Sequence, residues 1–451
     1  MSLFSLYFYI LFIIVLICTV LISKLFPNKK TLHNLLLLFA SFVFIAYSSW
    51  IALVVILAVS FITWFCGKQK NKVWQYIGIT LLIFVLILYK YADANHMNII
   101  IPLGVSFFTF SAISYLADIL KNEYKSSDFL HVALYLSFFP KLTSGPLQKA
   151  SAFFEQIDNQ DRNKNISYQN LSEGLQIYFL GLFKKLVLAD RLSVFINEVY
   201  ATPVAFSGLS ILLAIISYSL QIYFDFSGYS DMAIGLGRIF GFHFLENFNY
   251  PYISRSVTEF WRRWHMSLGQ FFRDYVYIPM GGNRRHQMLN LFVVWFLTGF
   301  WHGASWNFIL WGLWFGVLIV IEKLFMLKVL KKAPVLSNIY LLFVVLIGWV
   351  MFYFTDLNSV KNCLAVMFGL AGAGFGDLSL GIVVQNNIFW IILAAAFCLP
   401  IVPTVKKFIE ERPALTKISQ YIQIPANAVM LLVNTALLVG SSYNPFLYYR
   451  F

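Results

Sequence analysis

One histidine lies in the most apolar part of the sequence. The thirty-five residues between His286 and Glu322 contain no Lys, Arg, Asp or Glu, and His302 in "TGFWHGASWNF" is their one strongly titratable side chain. An imidazole can take a proton from an attacking hydroxyl or hold an acyl group briefly, so it suits acyl transfer to an alcohol. A membrane histidine can equally bond a neighbouring helix, and the segment alone leaves both interpretations open.

The surroundings of His302 suit a water-free reaction. Burial among aromatic rings disfavours the imidazolium and excludes water, so we expect a neutral imidazole. Thirty-five uncharged residues exceed one span of roughly 20, which predicts a break at the small residues Gly299, Gly303, Ala304 and Ser305. Three residues beside the histidine are candidates for contact with substrate or tunnel: Trp301, Ser305 and Asn307.

A second polar segment covers residues 254–285. Its apolar residues recur every three or four positions, which predicts an amphipathic helix at the membrane interface or closing over a cavity. His265 falls on the apolar stripe, whereas Arg262 and Arg263 fall on the polar face and are further candidates for contact with substrate or tunnel. The following "PMGGNRR" predicts a tight turn whose Arg284 and Arg285 could bind donor phosphates or, equally, lipid headgroups.

Carboxylates and small residues alternate in "YFDFSGYSDMAIGLGRIFGF", residues 223–242. Asp225, Ser227 and Asp231 are candidate substrate or tunnel residues if this backbone unwinds around a cavity. A surface loop with helix-capping aspartates is the alternative. The spacing resembles GxGxxG, but no strand precedes it, which argues against a dinucleotide site. A further segment, 138–151, predicts a kinked helix end near Lys141.

These segments belong to an integral membrane chain. Its 451 residues are 60% hydrophobic and 12% charged, and the mean hydropathy is +0.73, which excludes an ordinary soluble domain. Long uncharged stretches predict an all-α polytopic protein with about eleven membrane segments. We expect one domain over 1–451, with N-terminal spans at 1–100, a catalytic core at 100–320 and C-terminal spans at 321–451. Residues 148–174 form the most polar stretch.

The charge and cysteine patterns indicate the membrane topology and argue against other classes of protein. The net charge of +13 comes from short basic clusters between apolar segments, which favours positive-inside loops and lipid contacts over nucleic acid. Lys24, Lys29 and Lys30 follow the first apolar segment, so we expect that segment to be a retained span with the N-terminus outside. The four cysteines show no CxxC spacing and predict neither a disulfide framework nor a metal site.

Six motifs in fixed order resemble a known family. They are "FFPKLTSGPL", "YFDFSGYSDMAIGLGRIFGF", "NFNYPY", "SVTEFWRRWHMSLGQFFRDYVYIPMGGNR", "LTGFWHGASWNFILWGLWFG" and the terminal "YNPFLYYRF". Together they resemble the membrane-bound O-acyltransferase superfamily, in particular its bacterial alginate and peptidoglycan O-acetyltransferases, which are related to the D-alanyl transfer protein of teichoic acid. The resemblance spans about 100–320 and the C-terminus.

The resemblance implies a mechanism. His302 would be catalytic and His265 a second functional residue, inside a ring of helices around a central tunnel with re-entrant and interfacial helices. Acetyl-CoA, or an acyl carrier, would deliver the acyl group from the cytoplasm, with no bound cofactor or metal. A periplasmic SGNH-type acetyltransferase or esterase would decorate a cell-wall glycan or exopolysaccharide, with peptidoglycan favoured, and the protein would lie in the bacterial inner membrane. The alternatives are D-alanyl transfer to teichoic acid and, from another class, a proton- or ion-coupled transporter.

Overall fold

The protein is helical throughout the part of the chain that the structure describes. The computed structural model describes residues 3, 5–26, 29–94, 97, 99–143, 145–158, 167–303, 305–372, 374, 376 and 378–440. Part of the polar stretch, 159–166, lies outside the described residues, as do Ser144, Ala304 and the terminal motif at 443–451.

Twenty α-helices lie within these described residues. In chain order they are α1 Leu6–Leu25, α2 Lys30–Ser48, α3 Trp50–Lys68, α4 Val73–Ala94, α5 Val105–Leu120, α6 Phe129–Ser137, α7 Ala150–Asp158, α8 Tyr168–Phe183, α9 Asp190–Ala201, α10 Gly208–Ile239, α11 Val257–Arg263, α12 Met266–Phe272, α13 Gln287–His302, α14 Trp306–Ile321, α15 Leu327–Leu330, α16 Pro334–Tyr353, α17 Leu357–Met367, α18 Leu378–Phe397, α19 Ile401–Glu410 and α20 Pro413–Gly440. Shorter π and 3-10 turns lie at Lys184–Ala189, Pro203–Ala205, Pro251–Ile253, Arg273–Tyr277 and Glu322–Met326.

Several of these helices can cross a bilayer. Eight in the described chain have the length and apolar composition of a span, and two shorter apolar helices lie at Val105–Leu120 and Pro425–Leu438. The prediction of an all-helical polytopic protein is confirmed. The helices α2 and α3 are separated at one residue: α2 ends at Ser48, and the Ser49 hydroxyl accepts hydrogen bonds from the first amides of α3, those of Ile51 and Ala52.

The fold contains two compact units. The first comprises Met1–Leu180, Tyr229–Glu246 and Gln270–Tyr275. Its core is rich in phenylalanine: Phe242 packs on Phe138 and Phe153, with ring centroids 4.7 and 4.9 Å apart. The prediction of one domain with three successive parts stays a prediction.

The second unit comprises Gly181–Gly228, Asn247–Gly269 and Val276–Phe451. Its core is rich in tryptophan. Trp264 packs on Trp349 at 4.9 Å, and Trp261 packs on Trp311 at 5.6 Å. Both candidate histidines lie in this unit.

The expected unwinding at residues 223–242 is wrong. A single helix, α10, continues from Gly208 to Ile239. Its glycines serve close packing instead of a break: a Cβ on Gly228 would lie 2.6 Å from the Gly181 carbonyl oxygen, and one on Gly235 would lie 2.5 Å from that of Gly174.

The expected single amphipathic helix within 254–285, ahead of the predicted turn, is also wrong. The segment forms two seven-residue helices, α11 and α12, separated by Trp264 and His265, and His265 has a left-handed φ of +43°. A turn then follows as predicted. It is closed by hydrogen bonds from the amides of Gly282 and Arg284 to the carbonyls of Tyr277 and Gly281.

Candidate active site

His302 lies at the predicted break. It is the last residue of α13, and α14 begins four residues later at Trp306. Its ring is 4% exposed. The rings of Trp311 and Phe352 lie nearly perpendicular to it with centroids at 4.9 and 5.0 Å, and the Trp301 ring centroid is 4.5 Å away. The expected aromatic environment is therefore present, and the exclusion of water stays a prediction.

Glycine brings α13 and α14 together around this histidine. A Cβ on Gly299 would overlap the carbonyl oxygen of Phe308, and one on Gly303 would overlap the Phe308 ring. The two helices can approach this closely only where one of them lacks a side chain. The small residues near His302 thus create the helix contact as well as the break.

Asn307 fixes the start of α14. Its amide nitrogen donates to the carbonyl of Phe354 at 2.5 Å and to that of Met351 at 3.3 Å, and its amide oxygen accepts from the Ser305 hydroxyl at 2.5 Å. Asn307 is 1% exposed. Ser305 and Asn307 therefore hold the chain between α13 and α14 in place next to His302. Contact with substrate stays a prediction for both residues.

His265 occupies the kink between α11 and α12. A non-glycine residue with positive φ is strained, and surrounding contacts must hold it. The flanking backbone is held by two asparagine positions: the Met266 amide donates to the Asn247 carbonyl, and the Asn249 amide donates to the Arg263 carbonyl, each at 2.9 Å. The Asn247 side chain also accepts from the Ser267 hydroxyl at 2.6 Å.

The two histidines share one aromatic neighbour. The His265 ring is 6.2 Å from Trp301, which contacts His302, and lies edge-on to Phe226 at 4.6 Å. Burial lowers the pKa of the His265 imidazole from its usual 6.5 to about 3, so this ring is neutral at physiological pH. The structure therefore places two buried histidine rings within 6.2 Å of one indole, centroid to centroid.

The other candidate residues lie in different surroundings. The Asp225 carboxylate forms an ion pair with the Lys185 ammonium at 2.6 Å. Ser227 is buried on the same helix, α10. Asp231 belongs to the first compact unit. Contact with substrate stays a prediction for Asp225, Ser227 and Asp231.

Of the arginine candidates, one forms an ion pair and the other three are exposed. Arg263 is engaged with Glu259 at 2.9 Å and donates to the Asn249 carbonyl, while Arg262 is exposed. Arg284 and Arg285 are exposed on the turn that precedes α13. Binding of donor phosphates stays a prediction for these two.

Lys185 and Glu322 are among the buried charged residues that sequence reasoning missed. Lys185 is 2% exposed and forms ion pairs with Asp225 and Asp190. Glu322 was noted only as the end of the uncharged segment, yet it is fully buried and accepts three hydrogen bonds. A charged residue at the end of an apolar segment was the one available signal. Within the described chain, no group of three His, Cys, Asp or Glu side chains could hold a metal ion.

The chain is similar to several known proteins. The profile of the MBOAT, membrane-bound O-acyltransferase family, matches residues 37–363. A protein named "Probable alginate O-acetylase AlgI" from Azotobacter vinelandii is 32% identical, over 93% of this chain and 95% of its own length. The peptidoglycan O-acetyltransferase of Helicobacter pylori is 31% identical, over 84% of this chain and 83% of its own. The teichoic acid D-alanyltransferase of Bacillus subtilis is 30% identical, over 51% and 60%. The chain thus belongs to the membrane-bound O-acyltransferase family, and it is a multi-pass membrane enzyme that transfers acyl groups.

Proposed function

We propose that this enzyme moves an acetyl group from cytoplasmic acetyl-CoA across the bacterial inner membrane, for O-acetylation of a cell-wall glycan or an exopolysaccharide. The observation that carries the proposal is the pair of buried histidines on the Trp301 indole, in an aromatic environment. The names of the alginate and peptidoglycan relatives support a polysaccharide acceptor. A periplasmic SGNH-type partner completes the transfer, and the N-terminus lies outside.

The proposed chemistry needs one base. The His302 imidazole takes the proton of the attacking hydroxyl while the hydroxyl oxygen forms a bond to the thioester carbonyl carbon. The carbon–sulfur bond then breaks, and the imidazolium returns the proton to the departing thiolate. In the alternative course, the imidazole nitrogen first bonds the acetyl carbon, the carbon–sulfur bond breaks, and the thiolate leaves with the other ring proton. The hydroxyl oxygen then bonds the acetyl carbon, the carbon–nitrogen bond breaks, and the hydroxyl proton goes to the imidazole. The surrounding Trp311 and Phe352 rings exclude water that would hydrolyse the acetyl group.

Replacement of His302 by Ala tests this function. In a strain that lacks the native protein, His302→Ala should lose alkali-labile acetate from both wall fragments and secreted polysaccharide, while the protein stays in the membrane. His243→Ala is the matched control, because its ring is exposed and its bonds to Gln156 are made by backbone atoms. Full acetylation by His302→Ala would overturn the catalytic assignment.

The same samples separate the alternatives. The polymer that loses acetate in the deletion strain is the acceptor. Loss of alkali-labile D-alanine instead of acetate would indicate the chemistry named for the Bacillus subtilis relative. Membership of an acyltransferase family replaces the transporter hypothesis.

A further inference from the structure

Glu322 is a buried carboxylate that the proposed chemistry does not use. It follows the last residue of α14, is 0% exposed and opens the π turn Glu322–Met326. An ionisable group in an apolar environment is costly unless its oxygens are bonded. Its oxygens accept from the Val257 amide at 2.5 Å, the Thr258 amide at 2.9 Å and the Thr258 hydroxyl at 2.7 Å.

These bonds hold the N-terminus of α11. The first amides of a helix have no partner within it, and a carboxylate there also interacts favourably with the helix dipole. Glu322 supplies partners for Val257 and Thr258, sixty-five and sixty-four residues away, while the Ser256 hydroxyl accepts from Glu259 at 3.0 Å. The start of α11 is therefore fixed by a residue on a distant helix.

The other end of α11 leads to His265. Seven helical residues span about 10 Å, after which Trp264 and His265 form the kink. On the opposite side, α14 begins just beyond His302 and ends one residue before Glu322. The two helices thus connect the carboxylate to both histidines, and Trp301 contacts each histidine ring.

We propose that Glu322 is a positioning residue for acyl transfer: by bonding Val257 and Thr258, it sets where α11 places His265 relative to the Trp301 indole and His302. This inference rests on the proposed function of the histidine pair. It assigns Glu322 no contact with substrate. Packing of Trp261 against Phe315 at 5.0 Å supplies lateral contact between the helices, and Glu322 fixes the position of α11 along its axis.

The test uses two readouts on the full chain in native membranes. The first is labelled acetate esterified to the polymer in cells, divided by the amount of protein in the membrane. The second is carbethoxylation of His265 by diethyl pyrocarbonate, read by mass spectrometry, which reports the position of that ring whether or not the enzyme is active. The variants are Glu322→Ala and Thr258→Val, with Thr258→Ser as the variant that keeps the hydroxyl donor.

Glu322→Ala should lower acetylation per copy by about 10- to 100-fold, since a shift of about 1 Å in a catalytic group can cost about 100-fold in rate. Carbethoxylation of His265, normally 3% exposed, should rise several-fold. Thr258→Val should change both readouts in the same direction as Glu322→Ala but by a smaller factor. Thr258→Ser, which keeps the hydroxyl donor, should leave both readouts near those of the native protein. The control is Asp356→Ala, which removes a carboxylate that caps α17 through the Ser359 amide at 2.8 Å and should change neither readout.

Three outcomes would overturn the proposal. Wild-type acetylation in both Glu322→Ala and Thr258→Val would do so, as would a fall in acetylation without any change in His265 labelling. If Glu322→Ala fails to reach the membrane, the proposal would be overturned by equal acetylation and equal His265 labelling in Thr258→Val and Thr258→Ser. Failure of the proposed function is a separate result, because it appears as full acetylation by His302→Ala.

Discussion

The role of Asp225 can be tested through its ion pair. The Lys185 ammonium lies 2.6 Å from Asp225 and 2.7 Å from Asp190, and the Lys185 and Asp225 side chains are only 2% and 1% exposed. Removal of one partner from a buried pair leaves an uncompensated charge and costs about 3–5 kcal/mol, whereas removal of both charges is often neutral. Lys185→Met should therefore destabilise the fold strongly. The double variant Lys185→Met with Asp225→Asn should recover most of the loss, because the remaining Asp190 side chain is 19% exposed and keeps access to solvent.

The apparent Tm of the purified chain in detergent measures this effect. At about 2 °C per kcal/mol, Lys185→Met should lower Tm by about 6–10 °C. Lys406→Met is the control, because the Lys406–Glu410 pair is exposed, with its atoms 3.8 Å apart, and its loss should leave Tm unchanged. Acetylation per copy is measured in the same variants.

The double variant distinguishes a structural Asp225 from one that binds substrate. If Asp225 serves the ion pair, the double variant should be both stable and active. A double variant as unstable as Lys185→Met would contradict the energetic reasoning. A stable but inactive double variant would instead support the sequence-based prediction that Asp225 contacts substrate.

Two further predictions concern the break at His302 and a buried lysine. Gly299→Ala should lower the free energy of unfolding by about 1–3 kcal/mol, because the added Cβ would overlap the Phe308 carbonyl oxygen, and it should reduce acetylation. The control is Gly381→Ala, whose Cβ meets nothing within 4 Å. Equal Tm values for the two variants would contradict the packing argument. Lys141 is 6% exposed, and burial lowers the pKa of its ammonium from 10.5 to about 7, so the folded state binds the proton less tightly than the unfolded state. Lys141→Met should therefore raise Tm, with the largest gain below pH 7 and a gain that shrinks toward pH 10.5; a gain independent of pH between 6 and 10 would refute this.

The sequence by itself determined the local features. Its composition and long uncharged segments predicted an all-helical membrane protein, since burial in a bilayer demands apolar side chains and internally bonded backbone. Glycines within a segment too long for one span predicted the break beside His302, and paired glycines predicted the turn before α13. Ordered motifs indicated the family. Each of these signals is carried by neighbouring residues.

Local pattern misled where a residue's environment comes from a distant segment. Glycines and aspartates in α10 resembled an unwound segment, yet those glycines admit the backbones of Gly174 and Gly181. His265 lies in a kink without glycine or proline of its own, because contacts with Asn247 and Asn249 hold the strained backbone. Neither contact can be read from periodicity.

Only the tertiary structure decided which charged and aromatic groups meet. Lys185 and Asp225 are forty residues apart, and Glu322 bonds Thr258 across sixty-four residues. The sequence marks such groups as costly to bury, but not which partner offsets that cost. The same holds for His265 and the Trp301 indole, which are thirty-six residues apart in the sequence and have ring centroids 6.2 Å apart.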